Sequence, residues 1–220
     1  IPIPHIDSIA RNGIRCTNAY VTAPVCSPSR AGFLTGRYQT RFGHERNALG
    51  LQNIDPEIGL PLKERTIAGR LKEQGYVTGL VGKWHLGGAP AYHPMRRGFD
   101  EFFGFLHEGH FYVPPPYRDV VSMLHVTSLP EDQPGPRMQR GNYIFSTELN
   151  RTEDLYDDHN PLMRGTSEVK ESGYLTDAFA RKAAAFIHRH YAKPFFLFLS
   201  LSAPHCPLQA TPEQMKPFGD

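Results

Sequence analysis

Twice along this 220-residue chain a helix-period segment runs directly into a short apolar run, and that repeated pattern limits the fold more than any other feature. In the first copy Thr66 is placed to cap a helix, Ile67 and Leu71 face inward one turn apart, Gly75 ends it, and Tyr76 to Val81 reads as a buried strand. In the second, Leu175 and Thr176 open a helix with an apolar stripe of Phe179, Ala183, Phe186 and Ile187. Pro194 then leads into a buried strand from Phe195 to Leu201. A helix followed by a buried strand, repeated, predicts the α/β class: a largely parallel, mixed central sheet flanked by helices. Ligands of such sheets bind beyond the carboxyl ends of the strands. Lys83 and His85 follow the first strand and His205 follows the second, where chemistry is expected.

A third segment, CSPSRAGFLTGR from Cys26 to Arg37, sets a thiol beside a helix start and an arginine. Ser27 suits an N-cap and Pro28 a first helical position, so a helix is expected through Phe33 and Leu34 to Gly36. Cys26 then sits at the positive helix end, where free backbone N–H groups attract anions and Arg30 adds a fork of donors. These residue types alone imply an anion site and no more. Upstream, a short helix around Ile6 and Ile9 stops at Gly13, and Ile14 to Val21 alternates like a strand, with Cys16 as a small buried apolar group.

The run CSPSRAGFLTGR matches the first signature of the type I sulfatases at every fixed position, and GYVTGLVGKWHLG, Gly75 to Gly87, matches the second. The chain therefore resembles that family, within the alkaline phosphatase superfamily, and in RYQTRFGHE it resembles the bacterial polysaccharide sulfatases. The resemblance implies an alkaline phosphatase-like sulfatase fold that is incomplete. Residues 1–220 are expected to be an internal part of the N-terminal catalytic α/β domain, whose first strand and C-terminal part are missing. Residues 107–173, proline-rich and charged, are expected to form a surface excursion within it.

The family's chemistry transfers residue by residue. The resemblance implies that Cys26 is oxidised to formylglycine, whose hydrate attacks the sulfur of a sulfate ester. Arg30 and His85 are implied as catalytic partners, Arg30 holding the hydrate and His85 accepting its proton. Lys83 is implied to clamp a sulfate oxygen and His205 to stand by the leaving oxygen, and His110 is offered as a further substrate contact. The metal, calcium rather than magnesium, is implied to touch this chain only through the modified Cys26, with its other ligands on the remainder of the polypeptide. A formylglycine-generating maturation enzyme and a sulfated carbohydrate are the implied partners, in a periplasmic or secreted setting. A phosphodiesterase or phosphonate hydrolase of the same superfamily, and a non-catalytic sugar-binding protein, stay open.

Bulk properties add exclusions. A net charge of +2 gives no footprint for nucleic acid, and no apolar run reaches the length of a membrane span. Three cysteines are too few for a disulfide framework. GLVGK lacks the spacing and the Ser or Thr of a phosphate loop. Arg37, Arg41, His44 and Arg46 are candidates to grip sugar hydroxyls or a second sulfate, with a solvated basic loop as the simpler reading. His107 and His110 lack the partners of a zinc site, and His188 and His190 suit a helix C-terminus.

Overall fold

The computed structural model describes residues 3–124, 137–141, 143–147, 149 and 156–218. The Pro-Gly-Pro at 134–136 and the Asn-Arg-Thr triplet at 150–152, a glycosylation sequon in form only, lie outside the described residues. Helices are α1 (Pro4–Arg11), α2 (Cys26–Thr35), α3 (Ile67–Glu73), α4 (Leu175–His190) and α5 (Pro212–Met215). Strands are β1 (Val77–Lys83), β2 (Glu101–Phe105), β3 (Val121–Leu124), β4 (Arg137–Arg140), β5 (Tyr143–Ser146), β6 (Met163–Arg164), β7 (Ser167–Glu168), β8 (Phe195–Ser200) and β9 (Leu208–Ala210).

The central sheet has the order β7-β6-β2-β1-β8, with β2, β1 and β8 parallel and β6 antiparallel to β2. This is the mixed α/β sheet expected from the repeated pattern. Period-two alternation divides its side chains between two layers. Leu80 and Phe102 pack with Ala31, Leu34, Ala68 and Trp84 beneath α2 and α3. Val81, Phe103 and Phe105 pack with Leu175, Ala178 and Phe179 beneath α4. A second, antiparallel sheet, β4-β5-β3-β9, draws its first three strands from within residues 107–173, and β6 and β7 of the same interval extend the central sheet.

Several local expectations change. Ile67 and Ile187 turn outward, while Ala68 and Phe186 carry the buried faces of their helices. β8 is half-buried rather than buried, because among the described residues only β1 pairs with it. Ile14 to Val21 forms no strand: Tyr20 is 89% exposed and Cys16 is exposed as well. Alternation yields a strand only where a neighbouring backbone can pair, and none of the described strands lies against this segment.

The α3 cap forms as read. Thr66 Oγ1 accepts the Gly69 N–H at 3.1 Å and donates to the Arg97 carbonyl at 2.6 Å, fully out of solvent. Thr66→Ala is expected to lower the unfolding free energy by about 2 kcal/mol, measurable by urea denaturation, because a cap and a buried hydrogen bond go together.

Candidate active site

α2 starts two residues earlier than its sequence suggests. Val25 is the extended N-cap and Cys26 is the first helical residue. Ser27 is not a cap: its N–H donates to Asn47 Oδ1 at 2.9 Å and its hydroxyl meets His44 Nε2 at 2.8 Å. Pro28 has no N–H. The helix end therefore offers an incoming anion fewer free backbone donors than its sequence promises, and side chains must supply the charge. The other end behaves as read, with Gly36 in the left-handed region at φ 66°.

Those side chains converge on Cys26 from three elements. Lys83 is the last residue of β1 rather than a residue beyond it, and it is 2% exposed with its amine beside the Cys26 thiol. His85 follows two residues later, fully buried, with a positive φ of 58°. Its Nε2 lies 2.8 Å from the Ala48 carbonyl, which only accepts, so the proton sits on Nε2. Nδ1 then keeps its lone pair, with no protein donor spent on it and the Cys26 thiol as its neighbour. His205 reaches Cys26 from the turn after β8, its Nδ1 2.7 Å from the Cys206 carbonyl. Tyr112 steadies that turn by donating to the His205 carbonyl at 3.1 Å.

Arg30 closes the cluster from within α2. Its Nη1 donates to the Lys83 carbonyl at 2.9 Å and to Ser200 Oγ at 2.6 Å, latching the helix across the ends of β1 and β8. The backbones there run unusually close. A Cβ on Gly82 would lie 2.0 Å from the Ser200 carbonyl oxygen, and Gly82 has φ 112°. Only glycine meets both conditions.

The charges follow from this crowding. The contact with His205 first, then that with His85, with the Lys83 charge adding, outweighs burial and brings the Cys26 thiol down to about 4. Burial, with Arg30 alongside, brings Lys83 down to about 8, and burial brings Arg30 to about 10. Burial also lowers His85, keeping it neutral and able to accept a proton. Because the thiolate is the reacting form, alkylation of unmodified Cys26 by iodoacetamide is expected to hold its rate constant from neutral pH down to about pH 5. It should then fall as the thiol protonates near 4. Peptide mass mapping of the alkylated protein across that range checks it.

The other candidates separate from this cluster. His110 packs on Phe105 at 5.3 Å, with Nδ1 3.0 Å from Asp157 Oδ1, in a cavity lined also by Phe111, Pro161 and Leu162. No contact described for it reaches Cys26. Arg37 pairs with Glu64 at 2.5 Å, Arg41 and Arg46 are exposed, and His44 is buried with both ring nitrogens engaged, so it grips no sugar. His190 meets Glu101 at 2.7 Å. Sequence reasoning missed Asn47, Ala48, Ser200 and Tyr112. Only Ser200 had a signal, its place at the end of a parallel strand. Among the described residues no group of three or more His, Cys, Asp or Glu is arranged to hold a metal ion. A hard cation requires six or more oxygen ligands, so these residues do not by themselves make its site and no step is derived through it.

A family model described as Sulfatase matches residues 1–220. Human arylsulfatase G is 34% identical over 221 residues, covering 98% of this chain and 39% of its own length. Human N-acetylgalactosamine-6-sulfatase is 34% identical over 224 residues, covering 98% of the chain and 36% of its own. The crystal structure of Ps i-CgsB superposes with a TM-score of 0.75 at 34% identity, over 98% of this chain and 43% of that one. A second crystal structure of that protein holds k-i-k-neocarrahexaose. The chain thus spans about two fifths of the length of the relatives it matches.

Proposed function

The chain belongs to the sulfatase family, and from that premise we propose that it carries the nucleophile side of an active site that hydrolyses sulfate esters on a sulfated carbohydrate. The observation that carries this reading is the convergence of Lys83, His85 and His205 on Cys26. The family generally uses formylglycine and a divalent metal. In this chain Cys26 is the residue to be converted, calcium is the ion proposed, and the ion's remaining ligands belong to polypeptide beyond these residues. The carbohydrate preference draws on the relatives, one named for N-acetylgalactosamine-6-sulfate chemistry and one solved with a neocarrahexaose. A periplasmic or secreted location and a maturation enzyme for Cys26 belong to the same proposal. No helix among the described residues is long and apolar enough to cross a membrane.

Once formed, the hydrated aldehyde supplies an oxygen nucleophile at position 26. The chain's own groups do the rest. Lys83 and the Arg30 guanidinium neutralise the equatorial sulfate oxygens, where charge builds in the transition state. His85 Nδ1 takes the nucleophile's proton, because Nε2 is already committed to Ala48. His205 stands at the leaving oxygen and donates to it. Burial of Lys83 excludes water and strengthens each of these interactions.

The Lys83 charge gives the reaction an alkaline limit. Lys83 binds sulfate only when protonated, and its pKa lies at about 8, so kcat/KM is expected to be flat below pH 7 and to decline as pH rises past about 8. An initial-rate pH profile reads this, and a plateau extending to pH 10 argues against Lys83 as the sulfate clamp.

The deciding experiment has two readings. Tryptic mass analysis of protein from a host able to make formylglycine is expected to show the CH2–SH of position 26 converted to an aldehyde, with sulfur replaced by oxygen and two hydrogens lost, and sulfated oligosaccharides are expected to release sulfate. An intact thiol there, or cleavage of an aryl phosphodiester with no sulfate release, overturns the proposal.

A further inference from the structure

One loop touches the nucleophile's helix and its base at once. His44 and Asn47 hold Ser27, the neighbour of Cys26, while the carbonyl of Ala48 holds His85. His44 is fixed in turn. Its Nδ1 lies 3.1 Å from the Gly59 carbonyl, which accepts only, so Nδ1 carries the proton and Nε2 accepts from the Ser27 hydroxyl. The loop continues into Gly50 and Asn53, both of which donate to the Glu108 carboxylate at 2.6 Å. The Asn53 carbonyl accepts the Gly88 N–H at 2.6 Å, from the chain just past His85.

Resting on the sulfatase reading above, we infer that His44 and Asn47 are positioning residues, which with the Ala48 carbonyl brace residue 26 against His85 and so set the distance over which the proton moves. Neither touches a reacting atom. Ser27 takes two directional bonds, one through its backbone and one through its hydroxyl, and these replace the missing N-cap side chain at Val25. Without them the first turn of α2 is free to shift, and His85 stays behind on Ala48. A small misplacement between a nucleophile and its base lowers turnover while leaving the sulfate grip of Lys83 and Arg30 in place.

The test compares Ser27→Ala, His44→Ala, their double variant and Asn47→Ala by steady-state kinetics on a sulfated substrate. Each is expected to lower kcat by about 10- to 100-fold with KM within about threefold, the range seen when supporting hydrogen bonds behind a reacting group are removed. Ser27→Ala, His44→Ala and the double variant should fall together, because both single changes break the same Ser27–His44 bond. Effects that multiply, or a rise in KM with kcat unchanged, overturn the inference. A second measurement does not depend on sulfate chemistry. Amide hydrogen exchange at Ser27 is expected to be slow in the parent and at least tenfold faster in Asn47→Ala at equal thermal stability. Unchanged exchange overturns the brace even if sulfate is released. Normal exchange behaviour in a protein that releases no sulfate defeats the catalytic reading and leaves the brace standing.

Discussion

Cys26→Ala is expected to remove sulfate release, with kcat down by roughly 10⁴-fold or more, since groups that act as one unit lose nearly all their effect when the nucleophile goes. Alanine keeps the helix start and removes both the thiol and any oxygen derived from it. Lys83, Arg30 and His205 remain in place, so affinity for the sulfated substrate is expected to persist. Isothermal titration of the variant against a sulfated oligosaccharide, beside a sulfate-release assay, separates the two quantities. Turnover near that of the parent would sink the assignment of position 26 as nucleophile. Loss of binding together with turnover would mean that position 26 holds the substrate rather than attacking it.

Gly82→Ala is expected to be the most damaging change to the fold. The added Cβ falls 2.0 Å from the Ser200 carbonyl oxygen and 2.7 Å from its carbon, on backbone that cannot yield without opening the β1–β8 ladder. The φ of 112° adds strain that alanine does not relieve. A loss of more than about 4 kcal/mol is expected, the size reserved for backbone collisions and similar severe faults. In a chain of this length that lowers the thermal midpoint by about 10 °C or more. Scanning calorimetry reads it directly. A midpoint within a degree or two of the parent would show that β1 and β8 do not approach as closely as described. Ser200 anchors Arg30, so any folded fraction should also lose turnover.

The parts of the fold that were legible in the sequence are those decided by neighbours in the chain. Thr66 and Gly75 bracket α3, Leu175 opens α4, and β1 and β8 fall within two residues of their apolar runs. Caps, breakers and periodicity act over a few residues, so a few residues reveal them. The second sheet was not legible, because β3 pairs with β9 across nearly the whole second half of the chain and the strands are three or four residues long. The strand expected at Ile14 to Val21 failed for the converse reason. Its alternation is real, but alternation says nothing about whether a partner edge is there.

The site divides the same way. Cys26, Arg30, Lys83, His85 and His205 stood out through motif and strand-end position, and the fold gathers them. His110 stood out through its loop, and the fold sends it to Asp157 instead. His44 read as part of a solvated basic loop, because burial of a loop histidine depends on what Gly59 and Ser27 present to it, and no local pattern records that.

The Arg30 latch also has a meaning in time. Its partner Ser200 lies 170 residues further along the chain. At a synthesis rate of about 10 residues per second, roughly 17 seconds separate the emergence of the two. During that interval the polypeptide carries Cys26 without Ser200, which anchors Arg30, and without His205, which leads in lowering the thiol. A growing chain is therefore spared a live nucleophile until the strand that completes the pocket has left the ribosome.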